Sequence, residues 1–336
     1  MEFTLTPEQE LVRATAREFC DREIAPHARE WDRVEEMDRA IVAKLGQVGW
    51  LGATVPEEHG GMGLDTVSYC LVIEELGRTE PGTGSDAAGL AARAERDGTD
   101  WVISGSKMFI TNGTWAGLAL IFARTGGPGP KGITCFLVPT DAPGFKARPV
   151  RGKLGLRAQD TAELTLDGVR VPDEARLGDE GQGFRVAMSA LDEGRISLAA
   201  GCVGIARGCL EASVRYAGER SQFGRPIARF QIVQELIADI AVETDAARLL
   251  TWRAAALADA DREHTLESSY AKYFASEVAV RAANAAVQVH GGYGYVDEYP
   301  VGKYLRDARV TTLYEGTSQV QKLIIGRALT GENAFT

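Results

Sequence analysis

The sequence predicts an α+β fold that is mainly α-helical, with a helical N-terminal region (1–78), a middle antiparallel β region (79–172) and a C-terminal helical bundle (173–336). Two observations predict this order. The spacing of apolar residues changes from a helical period to alternation at Thr79, and the helical period returns after Pro172. With 336 residues and 45% apolar side chains, the chain can bury the cores of two or three domains.

The N-terminal region begins with a helix start signal. Thr6–Gln9 supplies a capping threonine, a proline at the first helical position and a glutamine at the third. A second helix is predicted over 36–48. After the glycine-rich segment "VPEEHGGMGL", Asp65 is expected to cap a third helix that ends at Gly77, because glycine commonly follows a helix C-terminus.

The middle region carries the signals of an antiparallel sheet. Asp97-Gly98 is a dipeptide typical of a tight hairpin turn, and an alternating segment follows it. Three further segments have the length and alternation of strands: "LALIFART", "GITCFLVP" and "AELTLDGVRVP". These segments predict a small β domain that ends at Pro172.

Long helical patterns fill the rest of the chain. Three segments with helical apolar spacing cover 183–220, 230–259 and 266–289. Each of them is long enough to span a four-helix bundle, which is therefore the architecture expected for the C-terminal region.

Composition argues against several classes of function. The net charge of -10 is unfavourable for binding nucleic acid. No apolar stretch approaches the roughly 20 residues of a membrane-spanning helix, and "MEFTLTPEQE" lacks the basic and apolar parts of a signal peptide. The five cysteines have neither metal-ligand nor paired redox spacing. We therefore expect a cytoplasmic protein without a metal site and without membrane insertion.

Three polar motifs are candidates for chemistry, and each also has a structural explanation. Glu315 in "YEGTSQ" precedes a predicted helix, where it is either a reactive group or a surface carboxylate favoured by the helix dipole. Arg220 and Phe223 in "ERSQFGRPI" suit a phosphate and a stacked base, but they fit a corner between two helices equally well. The loop "TEPGTGSD" can bring backbone N–H groups and the Ser85 hydroxyl close to an anion.

Taken together, these motifs indicate a family. "TEPGTGSD", "KMFITNG", "LDEGRI", "RSQFGRPI", "QVHGGYGY" and "YEGTSQ" occur in this order along nearly the whole chain, which resembles the acyl-coenzyme A dehydrogenases. The short-chain, butyryl-type and bacterial short branched-chain members are the most similar. The resemblance implies an FAD enzyme, usually a homotetramer, with an N-terminal helical domain, a middle β domain and a C-terminal four-helix domain.

The resemblance also implies roles for individual residues. Glu315 matches the catalytic base, and the positions that match substrate contacts are Ser85, Asp192, Arg195 and Gly316. The positions that match FAD contacts are Thr79, Gly84, Ser85, Phe109, Ile110, Thr111, Arg220, Gln222, Phe223, Gln231, Gln288, Gly291, Gly292, Thr317 and Gln319. Four of these match contacts with the FAD of a neighbouring subunit, so each site is expected to need at least a dimer; they are Arg220, Gln222, Phe223 and Gln231.

Two of these assignments have alternatives. Some family members carry the base one residue after the position of Glu193, but that later position is Gly194 here, so Glu315 is the better candidate. Asp192 and Arg195 are three residues apart on a predicted helix and could instead form an ion pair within it.

The implied reaction removes the α-proton of an acyl-CoA thioester while the β-hydrogen leaves as hydride, which gives the trans-2-enoyl thioester. The implied electron acceptor is an electron-transferring flavoprotein. Two alternatives stay open: a dehydrogenase or oxidase that acts on carrier-protein-bound acyl groups in secondary metabolism, and a non-catalytic flavin-binding member. The acyl chain length and branching are not determined by these motifs.

One departure from the family is large. In related chains, several tens of residues separate the helix ending "EELGR" from "TEPG", whereas Arg78 and Thr79 are adjacent here. If each missing helix buried on the order of 400 Å², its loss would expose surface worth roughly 10 kcal/mol. Net stabilities are only about 5 to 15 kcal/mol. Either the sequence omits a segment that the molecule contains, or the deletion is real and is compensated by repacking or by the oligomer.

Overall fold

The computed structural model describes residues 4–80 and 92–334 of the chain. The protein divides into two compact units. The first unit comprises residues 1–82, 154–158 and 195–336, and the second comprises 83–153 and 159–194. The three domain boundaries expected from the sequence remain predictions, because this division groups the N-terminal and C-terminal helices in one unit.

Helices dominate the described residues, which confirms the mainly α-helical α+β fold. The α-helices are α1 (Pro7–Phe19), α2 (Ala28–Val34), α3 (Ala40–Gln47), α4 (Thr66–Thr79), α5 (Gly183–Glu219), α6 (Gln231–Asp259), α7 (Thr265–His290), α8 (Val301–Thr311) and α9 (Ser318–Thr330). The three long segments predicted in the C-terminal region correspond to α5, α6 and α7. α1 continues into a short π-helix, Cys20–Ile24.

Local capping signals in the N-terminal region are confirmed. The Thr6 hydroxyl accepts a hydrogen bond from the Gln9 N–H at 3.2 Å, and the Gln9 side chain accepts one from the Thr6 N–H at 3.0 Å. The Asp65 carboxylate accepts from the Ser68 N–H at 2.5 Å and caps α4. The second helix was expected over 36–48, but α3 is shorter, and α2 precedes it without having been predicted.

The predicted end of the third helix at Gly77 is wrong. α4 continues through Arg78 to Thr79, and the Glu80 N–H still donates to the Leu76 carbonyl at 2.8 Å. Gly77 has a packing role instead of a capping role, because a Cβ at this position would lie 2.4 Å from the Gly201 carbonyl oxygen on α5. α4 and α5 therefore approach each other backbone to backbone.

We expect Gly204→Ala to lower the free energy of unfolding by about 1 to 3 kcal/mol, since added atoms in a close-packed contact force the helices apart. A Cβ on Gly204 would lie 2.2 Å from the Glu74 carbonyl oxygen of α4. The matched control is Gly218→Ala on the same helix, where a Cβ meets nothing within 4 Å. Urea denaturation should find this control unchanged or stabilised, by up to about 1 kcal/mol. Equal destabilisation by both substitutions would contradict the close contact.

The core of the first unit is built largely from small side chains. α5, α6 and α7 contribute alanines with no exposed surface, among them Ala199, Ala206, Ala247, Ala275 and Ala279. Small side chains at helix contacts allow the helix axes to approach closely. This packing is consistent with the helical bundle expected for the C-terminal region.

Among the described helices, α5 is long and apolar enough to cross a membrane. The helix is 37 residues long, its residues from Arg195 onward belong to the first unit, and 72% of its most apolar window is buried inside the protein. A buried core helix satisfies the same length and composition test, so the finding is only weak support for a membrane span.

The second unit contains a six-stranded sheet with the strand order β4-β3-β1-β2-β6-β5. Its strands are β1 (Arg93–Asp97), β2 (Asp100–Thr111), β3 (Leu118–Arg124), β4 (Ile133–Pro139), β5 (Phe145–Pro149) and β6 (Thr161–Pro172). The expected antiparallel sheet is confirmed except for a parallel bridge between β1 and β3. The predicted Asp97-Gly98 turn joins β1 and β2, and Gly98 has a left-handed φ of 66°.

Candidate active site

Glu315 lies on a tight turn between α8 and α9. Its φ is 54° and that of Gly316 is 85°, so two consecutive residues have left-handed backbone conformations. The Thr317 hydroxyl caps α9 by accepting from the Val320 N–H at 3.2 Å, and Gln319 is exposed on the first turn of that helix. Glu315 itself is only 4% exposed. The alternative of a surface carboxylate ahead of a helix is therefore wrong.

Two buried side chains hold this turn through its carbonyl groups. The Lys272 ammonium, on α7, donates to the Gly316 carbonyl at 2.7 Å. The Gln321 side-chain amide donates to the Glu315 carbonyl at 2.9 Å and to the Gly316 carbonyl at 3.2 Å. A Cβ on Gly316 would lie 2.6 Å from the Gln321 amide nitrogen, which would have to shift, and the φ of 85° itself favours glycine.

Three buried charged side chains lie near this turn: Glu315, Lys272 and Arg195. Lys272 has no exposed surface, and burial lowers the pKa of its ammonium to about 8, although Cys202 and Glu315 oppose that shift. Arg195, which is 5% exposed, lies close enough to add to the lowering. The structure thus places the predicted residues Glu315, Gly316 and Arg195 around one buried lysine. Asp192, one helical turn before Arg195, is half-buried.

Four of the residues predicted to contact FAD line one pocket of the first unit, apart from the Glu315 turn. Arg220, Gln222, Gly291 and Gly292 line a cavity of about 560 Å³ together with Tyr216. The Arg220 guanidinium lies 5.4 Å from the centre of an aromatic ring of the same pocket. A guanidinium, exposed glycine backbone and aromatic rings form a donor set suited to a phosphate group and a flat ring system.

The motif "RSQFGRPI" folds as a hairpin at the edge of this pocket. Its strands are β7 (Ser221–Gln222) and β8 (Arg225–Pro226), and Phe223 and Gly224 form the two-residue turn with φ values of 50° and 76°. The turn leaves the Phe223 side chain 92% exposed. Gln231, at the start of α6, and Gln288, near the end of α7, are also exposed and do not line the pocket.

In the second unit, the predicted segment Phe109–Thr111 lies at an irregularity of β2. The register of β2 against β6 shifts between Lys107 and Ile110, as at a β-bulge. Phe109 has a φ of 60° and is 56% exposed, and Ile110 and Thr111 are half-buried. The bulge therefore turns an aromatic side chain out of the sheet.

The remaining predicted residues belong to the motif "TEPGTGSD". Thr79 was expected in a loop, but it occupies the last turn of α4, where its hydroxyl donates to the Leu76 carbonyl at 3.1 Å. It is 7% exposed. Gly84 and Ser85 lie outside the described residues, so their roles remain predictions.

Sequence reasoning missed Lys272 and Gln321. A signal for the first exists in the segment "SSYAKYFASE", where a lysine stands on the apolar side of a long helix. Gln321 has no such signal, because glutamine is an ordinary residue near a helix start. Its contact with the turn depends on the direction in which α9 leaves Thr317.

Comparison with known proteins finds three matching family descriptions along the chain. "Acyl-CoA dehydrogenase, N-terminal domain" matches residues 6–99, "middle domain" matches 76–169 and "C-terminal domain" matches 181–330. A probable acyl-CoA dehydrogenase of Bacillus subtilis, YngJ, is 41% identical, with 98% of this chain and 100% of that protein covered. The short-chain specific acyl-CoA dehydrogenase of Mus musculus mitochondria is 38% identical, with 94% and 88% covered.

The alignment with the Bacillus protein is longer than this chain. It extends over 378 positions, while this chain has 336 residues, so at least 42 positions, the difference between the two lengths, have no counterpart here. This agrees with the expectation that several tens of residues are missing relative to related chains.

A solved structure gives the same assignment. The butyryl-CoA dehydrogenase of Megasphaera elsdenii has a TM-score of 0.94 and 34% identity, with 98% of this chain and 100% of that chain covered. The fold, the three family matches and these relatives agree along nearly the whole sequence. The chain therefore belongs to the acyl-CoA dehydrogenase family, whose members are FAD-dependent oxidoreductases that act on CH–CH groups.

Proposed function

We propose that this protein dehydrogenates a short acyl-CoA thioester between its α and β carbons, with Glu315 as the base that takes the α-proton. The observation that carries the proposal is the burial of Glu315 on a turn held by Lys272 and Gln321. The turn holds the carboxylate in one position away from bulk water, and a positioned carboxylate can act as a general base. The turn thus supplies a group suited to a weak carbon acid.

In the proposed reaction the substrate loses two hydrogens, one as a proton from the α-carbon and one as a hydride from the β-carbon. The Glu315 carboxylate accepts the α-proton, and the electron pair of the α C–H bond forms the new double bond as the β-hydrogen leaves with its own electron pair. FAD supplies the acceptor for that hydride. In the family, the negative charge that develops on the thioester oxygen is met by the N–H of the base residue, and such a donor contributes about 3 kcal/mol.

Several residues of this chain suit FAD binding. Arg220, Gln222, Gly291 and Gly292 share one pocket, and their guanidinium, amide and backbone groups suit a pyrophosphate and an adenosine. Phe109 supplies an exposed aromatic face of the kind that packs on a flat ring. We propose that Thr79, Thr317 and the other predicted positions complete the contacts in the assembled protein.

Anaerobic titration of the FAD-loaded protein with a panel of acyl-CoAs tests this function. We expect a short acyl-CoA to bleach the yellow flavin absorbance and to yield one trans-2-enoyl-CoA for each flavin reduced. A panel that varies chain length and branching then identifies the acyl group. A flavin-containing protein that none of the acyl-CoAs bleaches would contradict the proposal.

The electron acceptor and the form of the substrate are tested separately. We propose an electron-transferring flavoprotein as acceptor, which should reoxidise the bleached enzyme without release of peroxide. Peroxide release would favour an oxidase, and activity only with acyl groups on a carrier protein would favour a dehydrogenase of secondary metabolism. We also propose a cytoplasmic location.

The assembly is proposed to be a dimer of dimers. Arg220, Gln222 and the exposed Phe223 at the hairpin tip are the residues expected to reach the FAD of a neighbouring subunit. Light scattering on the FAD-loaded protein should give the mass of four chains, and FAD content should fall when dilution separates the subunits. A monomer that keeps its FAD would contradict this arrangement.

The proposed activity depends on whether the segment missing after Arg78 is absent from the molecule or only from the sequence. Intact-mass measurement of the protein from its natural source distinguishes the two explanations, because an omitted segment gives a mass above that of 336 residues. If the deletion is real and the purified protein neither contains nor takes up FAD, the non-catalytic alternative is supported.

A further inference from the structure

Lys272 is a buried charge with no role in the proposed proton transfer. It has no exposed surface, and its ammonium donates to the Gly316 carbonyl at 2.7 Å. It lies on α7, whereas its partner lies 44 residues later in the chain. The contact therefore fastens the turn between α8 and α9 to the helical core.

Burying this lysine is costly. An ammonium in an apolar environment is strongly disfavoured, which is why burial lowers its pKa to about 8. A methionine would fill the same volume without that cost, and replacement of buried charges by apolar residues is often neutral or stabilising. Packing alone therefore does not account for a lysine here, and its hydrogen bond to the turn is the feature that an apolar side chain could not reproduce.

The turn needs support because its backbone is strained. A non-glycine residue with left-handed φ costs on the order of 1 to 2 kcal/mol, and Glu315 has a φ of 54°. The Gly316 carbonyl accepts from both Lys272 and Gln321, so both of its lone-pair positions are used. These donors fix the peptide that follows Glu315, and with it the direction in which the Glu315 side chain leaves the backbone.

We propose that Lys272 is a positioning residue for Glu315: by holding the Gly316 carbonyl, it keeps the carboxylate aimed at the α-carbon of the substrate. The proposal rests on the proposed function, in which Glu315 is the base. Lys272 does not touch the substrate and transfers no proton. Displacement of a catalytic group by about 1 Å can lower a rate about 100-fold.

The test uses Lys272→Met in the FAD-loaded protein. An acyl-CoA analogue with sulfur in place of the β-carbon has no β-hydrogen to lose, so its α-proton exchange with heavy water reports the base alone. We expect the exchange rate at saturating analogue to fall at least 10-fold, while FAD content and analogue affinity stay within about 3-fold of the parent protein. An unchanged rate would overturn the proposal.

The pH dependence of the exchange rate distinguishes two effects of losing Lys272: displacement of Glu315 and loss of a positive charge beside it. Loss of position lowers the plateau of the exchange rate at every pH. Loss of a cation beside the base would instead move the profile to higher pH and leave the plateau unchanged, and that outcome would overturn the positioning role. Gln321→Leu removes the other donor to the same carbonyl and is expected to lower the plateau in the same way. It also serves as the test variant if Lys272→Met does not fold.

Lys107→Met is the matched control. Lys107 is half-buried, burial lowers its pKa to about 8, and it donates to the Phe122 carbonyl at 2.7 Å. We expect this variant to keep its exchange rate within about 2-fold, even if its stability falls. An equal loss in both lysine variants would assign the effect to general destabilisation and overturn the proposal.

The proposed function and the positioning role fail in different ways. If Glu315→Gln still catalyses α-proton exchange, the base is elsewhere and both proposals fall. If Glu315→Gln is inactive but Lys272→Met exchanges at the parent rate, only the positioning role falls.

Discussion

Glu315→Gln is expected to give a yellow, FAD-containing protein that short acyl-CoAs no longer bleach. Glutamine has the shape of glutamate but cannot accept the α-proton, and general base catalysis contributes about 100-fold to 10,000-fold. The hydrogen bonds that hold the turn involve backbone carbonyls and remain possible in the variant. Anaerobic stopped-flow measurement of flavin absorbance should show a rate at least 100-fold below that of the parent protein.

Glu193→Gln is the matched control for that loss. Glu193 is the carboxylate next to the position that carries the base in some family members, and it is exposed on α5. We expect its removal to change the bleaching rate by less than about 3-fold, since its exposed side chain is not held on the turn that carries Glu315. Full bleaching by Glu315→Gln together with loss of bleaching in Glu193→Gln would reverse the assignment of the base.

Lys303→Met is expected to be among the most destabilising single changes in the chain. The Lys303 ammonium lies between two buried carboxylates, 2.5 Å from Asp307 and 3.0 Å from Glu80. Removing the lysine leaves both carboxylates without their cation, and breaking a buried ion pair in this way costs about 3 to 5 kcal/mol. Guanidinium denaturation at pH 8 measures the loss. The exposed pair Lys44–Glu23 gives the control, because Lys44→Met should cost less than about 1 kcal/mol.

The loss in Lys303→Met should depend on pH. Burial raises the pKa of Glu80 to about 7, and Lys303 opposes that rise. A carboxyl whose pKa is higher in the folded than in the unfolded state favours folding at low pH, and this contribution disappears as pH rises through the folded value. Without Lys303 the Glu80 pKa rises further, so the deficit should be smaller at pH 5.5 than at pH 8. An equal deficit at both pH values would mean that removing Lys303 does not change the protonation of the buried carboxylates.

Some features of this protein follow from short stretches of sequence. The Thr6 and Asp65 caps, the Gly98 turn and the three long helices were predicted because each depends on residues within a few positions of one another. The family and Glu315 were identified from motifs and their order, which also requires no knowledge of packing. The burial of Glu315 was not predicted, because the local sequence alone favoured a surface carboxylate.

Other features depend on which elements meet. The local sequence predicts that the helix ends at Gly77. α4 instead continues, and Gly77 allows close contact with Gly201, more than a hundred residues later. Glu80 was expected in an anion-binding loop, but it pairs with Lys303 from α8.

By itself, the sequence determined the three long C-terminal helices, the hairpin turn and central strands of the sheet, the family and the proposed base, because hydrogen bonding within an element and the order of motifs are both local properties. The tertiary structure alone decided that Lys272 and Gln321 hold the Glu315 turn and that Lys303 lies between the buried carboxylates Glu80 and Asp307. Those contacts join side chains that only packing of separate helices brings within hydrogen-bonding distance, so no local pattern predicts them.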